Sequence, residues 1–444
     1  MPSKPHEHPV VVSANQCRDL CSCGGQHPAP VVTLYTGTDA AAVLAADYRA
    51  LHGGRELLLL SDPLTHEVAG VRVLEALCGQ GVAVNHLLLE DEPSATEELA
   101  ESVRARAVGR ELIVAVGAGT VNDLAKYAAD RNGMLYWTVP TAPSMNGFTS
   151  SISAVKVKGV KLTVPAAPPQ RIYADPGVVC EAPLKLRQAG FCDVLAKVVS
   201  DIDWRIDSLL FDGGYCRLPS ALMAGVEETY TGHPEEIGRG EPAAVMGLFH
   251  GLLVSGVAMS LAGSSAPASG GEHLVSHFWD MREPLTGRIP ELHGLQVGAG
   301  ILLSTACYAR LAELDGRALV GRAESAFSAT AMRIPAIWGD YADEVARQFL
   351  EKRAQLLRFD ALLPLHWAEL VTLFRQVRPP AYFLDLFRRT GLDFSLASLR
   401  LSADEFLLAA HNGRAIRSRI TVLDLAAHAG VLDAAAEETL TLLS

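Results

Sequence analysis

The chain has 444 residues, 49% of them hydrophobic and 20% charged, with a formal net charge of −12. That length outgrows a single core, so two domains are expected, and the apolar content is ample for both. Long polar tracts are lacking, which argues against wholesale disorder, and the acidic balance excludes a general nucleic-acid binder, whose surface must be basic.

Residues 1–30 read as a polar N-terminal extension. No charged stretch leads into an apolar one there, so no secretory signal is expected. Cys17, Cys21 and Cys23 follow a C-x3-C-x-C spacing, with His27 close behind. Such a spacing could bind a metal but fits no strong zinc pattern; a loosely packed tail is the plainer expectation. The other five cysteines stand singly among apolar residues and are expected to be buried thiols, which suits a reducing, cytoplasmic home.

Residues 31–180 alternate apolar runs with helical patterns. LLLL at 57–60 stops at Ser61-Asp62, LIVAV at 112–116 runs into Gly117-Ala118-Gly119, and LYWTV at 135–139 stops at Pro140. Segments 64–80 and 120–130 between them carry helical spacing. This alternation predicts a dinucleotide-binding α/β domain with a Rossmann-like parallel sheet, whose ligands sit at the carboxyl ends of the strands.

From 181 to 444 the strand signals fade, and helical periodicity at 184–206, 243–262, 295–313, 345–358 and 403–412 predicts an all-α domain. The uncharged run from Pro242 to Ala266 is long enough to span a membrane. It is rich in Gly, Ala and Ser, contains His250 and lacks flanking basic or aromatic belts, so a buried central helix is expected instead of a membrane span.

Two loops in the first domain look made for a ligand. In ELIVAVGAGTVNDLAKYAAD, Gly117 and Gly119 let backbone approach a ligand, and the N–H groups near Thr120 can cradle a pyrophosphate; a simple tight strand–helix turn would look the same. The loop PTAPSMNGFTS at 140–150 places Thr141, Ser144, Thr149 and Ser150 at the end of the next strand. Asp62 suits an adenosine ribose and disfavours a 2′-phosphate, favouring NAD over NADP, although a helix N-cap would be an equally good use of it.

In the helical part, Asp193 precedes Lys197 by one turn, and His273 and His277 stand at i, i+4 on one helix face. His293 opens another apolar helix. One Asp and two His from three helices could hold a divalent metal with open positions; structural histidines are the alternative.

GAGTVNDLAKY, PTAPSMNGFTSS, the G-x-K-x-T run at 159–163, Ala174-Asp175, GFCDVLAKVVSDIDW, ASGGEHLVSHFWDM, HGLQVGAG and AIRSRITVLDLA keep this order over most of the chain. As a set they resemble the family joining iron-containing alcohol dehydrogenases, glycerol dehydrogenases and dehydroquinate synthases, above all the bacterial sn-glycerol-1-phosphate dehydrogenases. The resemblance implies a dehydroquinate synthase-like two-domain fold. It makes Asp193, His273 and His293 the ligands of one divalent metal, zinc or nickel, with iron a further option. His277 would contact substrate. Gly117, Ala118, Gly119, Thr120 and Val121, with Thr141, Ala142, Pro143 and Ser144, would hold the phosphates and nicotinamide end of NAD or NADP. Ser150 would also touch the cofactor, and Asp62 the ribose.

Lys197 stands where iron-dependent alcohol dehydrogenases of this superfamily place a further His. Three protein ligands leave room for substrate oxygens, and Lys197 could meet an anionic substrate group or pair with a carboxylate. One departure concerns the substrate: the family loop carries an Asp that contacts the substrate hydroxyl, and here that residue is Asn146, which hydrogen-bonds but carries no charge. Cys192 in GFCD, where Gly is usual, is a lesser one. The reaction implied interconverts sn-glycerol 1-phosphate and dihydroxyacetone phosphate, with the metal as Lewis acid, His277 or water taking the proton, and hydride passing to the nicotinamide. Ether-lipid backbone synthesis is the pathway this suggests. Other readings are a dehydrogenase of glycerol or of another phosphorylated or phosphonate alcohol, a dehydroquinate synthase-like lyase, and a non-catalytic NAD- or metal-binding protein. The partners expected are a small phosphorylated polyol and, as a homodimer or larger, further copies of the chain.

Overall fold

Successive side chains of a strand leave opposite sides of the sheet, and the LLLL run uses both. Leu57 and Leu59 join one core with Leu112, Val114, Trp137 and Tyr173, whereas Leu58 and Leu60 join a second with Ile113, Ala115 and Tyr136. A run apolar on both faces belongs to the middle of a sheet covered on both sides. The computed structural model describes residues 7–9, 21, 23, 27, 32–157, 160–319 and 322–444.

The strands are β1 (Glu7–Pro9), β2 (Thr33–Thr36), β3 (Leu57–Ser61), β4 (Val84–Leu88), β5 (Leu112–Gly117), β6 (Leu135–Pro140), β7 (Ile152–Val157), β8 (Val160–Pro165) and β9 (Arg171–Ala174). Seven of them form one sheet in the order β1-β2-β9-β6-β5-β3-β4, parallel except for β1. Helices α1 (Ala40–His52) and α2 (Val71–Gly79) cover one face, and α3 (Glu97–Ala107) and α4 (Gly119–Arg131) the other. From β4 at the edge the chain crosses back over β3 to reach β5. A crevice therefore opens between the carboxyl ends of β3 and β5, where sheets of this kind hold ligands. The pairing of Leu60 with Ala115 sets Asp62 and Gly117 on its two sides. The antiparallel pair β7–β8 was not anticipated from the sequence.

The chain divides into two units: residues 1–194 with 217–265, and 195–216 with 266–444. The expected boundary near residue 180 thus falls inside the first unit, because α5 (Leu184–Leu195) and α7 (Pro242–Ala262) largely belong with the sheet. Among the described residues α7 is the one helix long and apolar enough to cross a membrane, and 83% of its most apolar window is buried, as the core-helix expectation requires.

The second unit is helical. No strand follows β9 among the described residues. The helix expected over 184–206 is two, α5 and α6 (Lys197–Phe211), interrupted at Ala196. The one expected over 345–358 is likewise broken at Lys352, whose buried ammonium lies 3.0 Å from Asp424. Arg414 approaches the same carboxylate at 3.1 Å, anchoring the C-terminal motif. One thiol expectation fails: Cys78 is exposed, because Val73 and Leu77 take the buried face of α2.

Candidate active site

Helix α4 starts directly from β5, and its N-cap position is Ala118, which offers no capping side chain. The first-turn N–H groups therefore face outward at residues 118–120, which are half-buried. Gly117 is required by close packing, since a Cβ there would meet Val121 Cβ at 2.7 Å. Thr141 N–H donates to the Gly117 carbonyl at 3.2 Å and ties the ends of β5 and β6 together. Asp62 acts as an N-cap: its carboxylate accepts from Thr65 N–H at 2.8 Å in a capping box, at the end of β3.

The 141–151 loop is clamped between two helices of the same unit. A Cβ on Gly190 of α5 would overlap the Pro143 carbonyl, with its carbon 2.8 Å away. A Cβ on Gly256 of α7 would lie 2.7 Å from Asn146 O and 2.9 Å from Ser150 N. Thr149 Oγ1 donates to Leu253 O at 2.5 Å, and Ser260 Oγ donates to Thr149 O at 3.0 Å. From beneath, the buried Lys126 ammonium donates to the carbonyls of Gly147, Ser150 and Ile152 and to Ser150 Oγ. Burial lowers its pKa to about 8. Ser150 is itself buried, and its hydroxyl donates within the loop. The loop tip, residues 144–147, stays half-exposed. Asn146 N–H donates to Asp193 Oδ2 at 2.8 Å, so the loop is fastened to the buried Asp193 carboxylate near the end of α5.

In the second unit three imidazoles converge. His273 and His277 lie on α8 (Gly271–Thr286) and His293 begins α9 (His293–Leu311). The His273 ring centroid is 5.8 Å from that of His277 and 5.2 Å from that of His293, and His277 stacks on His293 at 5.4 Å. The hydrogen-bond network fixes which nitrogens can ligate. His273 Nδ1 lies 2.7 Å from Glu272 Oε1; a carboxylate accepts, so Nδ1 carries the proton and Nε2 the lone pair. Gln296 Nε2 donates to Asp280 and to Glu291 O, which leaves Gln296 Oε1 to accept from Ser276 Oγ at 3.2 Å. Ser276 then accepts from His293 Nδ1 at 2.9 Å, and His293 too presents Nε2. Ligand atoms of His277, Asp280 and His293 also fall within 4.8 Å of one another, but Asp280 is engaged by Gln296. Lys197 is buried at the first position of α6.

The start of α8 is held by Asp203 of α6. Its carboxylate accepts from Gly271 N at 2.7 Å, Val422 N at 2.7 Å and Tyr308 OH at 2.6 Å, while burial raises its pKa to about 7. Gly190, Gly256, Lys126, Glu272, Ser276, Gln296 and Asp203 were not singled out from the sequence. Two had a signal: Glu272 immediately precedes His273, and Gly190 interrupts a helix.

The part of the chain that carries most of the parallel sheet and its glycine-bordered crevice, residues 37–183, matches the family model of the iron-containing alcohol dehydrogenases. The chain is 33% identical over 305 residues to an NAD(P)+-linked glycerol-1-phosphate dehydrogenase of Halalkalibacterium halodurans, covering 67% of this chain and 76% of that one. To the enzyme of the same description from Geobacillus stearothermophilus it is 31% identical over 300 residues, 66% of this chain and 73% of the relative. Among solved structures, a probable glycerol dehydrogenase from Sinorhizobium meliloti shares the fold with a TM-score of 0.59 at 18% identity, over 93% of this chain and 99% of that one. The chain belongs to the family of NAD(P)+-linked glycerol-1-phosphate dehydrogenases.

Proposed function

We propose that this protein interconverts sn-glycerol 1-phosphate and dihydroxyacetone phosphate, using NAD in preference to NADP and one divalent metal, zinc or nickel. The observation that carries the reading is the pair of relays, Glu272 to His273 and Gln296–Ser276 to His293, which engage both Nδ1 atoms and so make each Nε2 the ligating nitrogen. Neutral imidazoles with their Nδ1 protons held by acceptors are what a cation site needs. Asp193, His273 and His293 would hold the metal, which when bound supplies Lewis acidity to the substrate oxygen, as NAD supplies or takes hydride.

The chain's own groups do the rest. The α4 N-terminus with Gly117 to Val121 binds the pyrophosphate, and Thr141 to Ser144 with Ser150 shape the nicotinamide end. Asp62 retains a second carboxylate oxygen for a ribose hydroxyl, which favours NAD. His277 takes the hydroxyl proton in oxidation and returns it in reduction. Asn146 hydrogen-bonds a substrate hydroxyl, and Lys197 meets the phosphate. A cytoplasmic enzyme acting as a homodimer or larger completes the reading; sedimentation of the purified chain checks the assembly.

The test is NADH oxidation with dihydroxyacetone phosphate, with zinc or nickel supplied and then chelated. Metal-dependent oxidation is expected; full activity in the stripped enzyme would refute the metal's role. NADH binding without oxidation would turn the search to glycerol and other phosphorylated or phosphonate alcohols, with Asn146 as the cause. Turnover of a substrate without net change in NADH would identify a lyase.

A further inference from the structure

The N-terminal cysteines carry more than their spacing suggested. Cys17 lies outside the described residues, but Cys21, Cys23 and His27 converge on one point. Cys21 Sγ is 3.0 Å from Cys23 Sγ and 2.9 Å from His27 Nε2, and Cys23 Sγ is 3.1 Å from the same nitrogen. Three soft or borderline donors within seven residues thus face one another (C-x-C-x3-H). The imidazole is oriented from behind: His27 Nδ1 lies 2.9 Å from Leu261 O. A carbonyl only accepts, so Nδ1 bears a proton and Nε2 is the ring nitrogen that faces the two sulfurs. This is the outer-shell arrangement that orients ligating histidines. A backbone donor also reaches a sulfur, with Cys23 N–H 3.4 Å from Cys21 Sγ.

We propose that Cys21, Cys23 and His27 form a second, structural metal site for a thiophilic divalent cation, zinc foremost. Thiolate and imidazole are the ligands of structural zinc, at about 2.3 Å from sulfur and about 2.0 Å from nitrogen. Tetrahedral geometry at those lengths sets neighbouring donors about 3.5–3.8 Å apart, so the three atoms need to open by less than about 1 Å. A fourth donor, water or protein, completes the shell. The Leu261 carbonyl belongs to the last turn of α7, where carbonyls lack helical partners. The site therefore pins Cys21, Cys23 and His27 to the end of the helix whose Gly256 abuts the 141–151 loop. The proposal is independent of the catalytic reading, whose ligand set contains no thiolate.

Cobalt loading of the full chain separates the two sites. Chelator-stripped protein titrated with Co2+ should develop a near-ultraviolet thiolate-to-cobalt charge-transfer band. The band should persist in Asp193→Asn and His293→Ala and vanish in the double variant Cys21→Ser/Cys23→Ser. The double variant should also bind one equivalent less zinc than the wild type, by elemental analysis, while keeping turnover within about twofold. His27→Gln, which spares the sulfurs, should weaken zinc retention against a chelator about 10–100-fold. No band in the wild type, a band that survives loss of both cysteines, or equal zinc in the two proteins would overturn the proposal. A Cys21–Cys23 disulfide would give the first of these outcomes.

Discussion

Gly190→Ala should cripple turnover by moving the 141–151 loop without replacing any group proposed to meet cofactor or substrate. The new Cβ would lie 2.8 Å from the Pro143 carbonyl carbon and 3.1 Å from Leu252 Cδ1, and would overlap the Pro143 oxygen. Carbon atoms in contact prefer about 3.5–4.0 Å, so α5 and the loop must part by about 1 Å. The Leu252 side chain can rotate away, but the Pro143 carbonyl cannot, because it is backbone. Overpacking of this kind costs about 1–3 kcal/mol, set against about 1 kcal/mol gained by replacing a helical glycine. Net destabilisation should be about 2 kcal/mol at most. The larger effect is on geometry: the Asn146–Asp193 hydrogen bond of 2.8 Å spans the same gap. A shift of about 1 Å in positioned groups costs about 100-fold in rate. The assay compares kcat/KM for dihydroxyacetone phosphate reduction and the melting temperature with those of Gly225→Ala, where a Cβ meets nothing within 4 Å. That control should retain activity and gain about 0.5–1 kcal/mol. Wild-type kcat/KM and melting in Gly190→Ala would refute the clamp.

Three further outcomes are expected. Ser276→Ala breaks the relay to His293 and should lower metal affinity about 10–100-fold, read by chelator competition, with the fold intact by circular dichroism. In Asp203 the folded pKa of about 7 exceeds its ordinary 3.8, so the folded state holds the extra proton and stability falls as pH rises between those values. Asp203→Asn should be less stable at low pH, having lost one acceptor, and should show a flatter profile in denaturant titrations from pH 4 to 7. For Lys126 the folded pKa of about 8 lies below the ordinary 10.5, so its contribution to stability rises with pH across that window. Lys126→Met should abolish that rise and, by stranding the Gly147, Ser150 and Ile152 carbonyls, cost about 3 kcal/mol.

Elements with a local cause could be read from the chain. The central strands announced themselves as short apolar runs closed by turn residues, and α7 as an uncharged stretch too rich in small residues for lipid. The i, i+4 pair His273 and His277 needed only helical geometry. What escaped was non-local or double in meaning. Asp203 meets Gly271 across 68 positions and Val422 across 219, and no window contains both ends of such a bond. Asp62 satisfies the cap and ribose patterns alike, since both ask for a carboxylate at a strand end. The break at Lys352 follows no helix-breaking residue; Asp424, far along the chain, draws the ammonium inward. The short strands β2 and β9 carry too few residues for an alternation to register.

The way the backbone threads its two units bears on how the molecule can be taken apart. The chain enters the second unit at 195, returns to the first at 217 and leaves it again after 265. A fragment starting at 266 would keep His273 and His293 but lose α6, and with it the carboxylate that seats Gly271 and Val422. No single cleavage releases either half whole. Exchange of the sheet-bearing half with that of another gene would have to replace two separated stretches of coding sequence at once, so recombination should preserve the pairing of the halves as one inherited block.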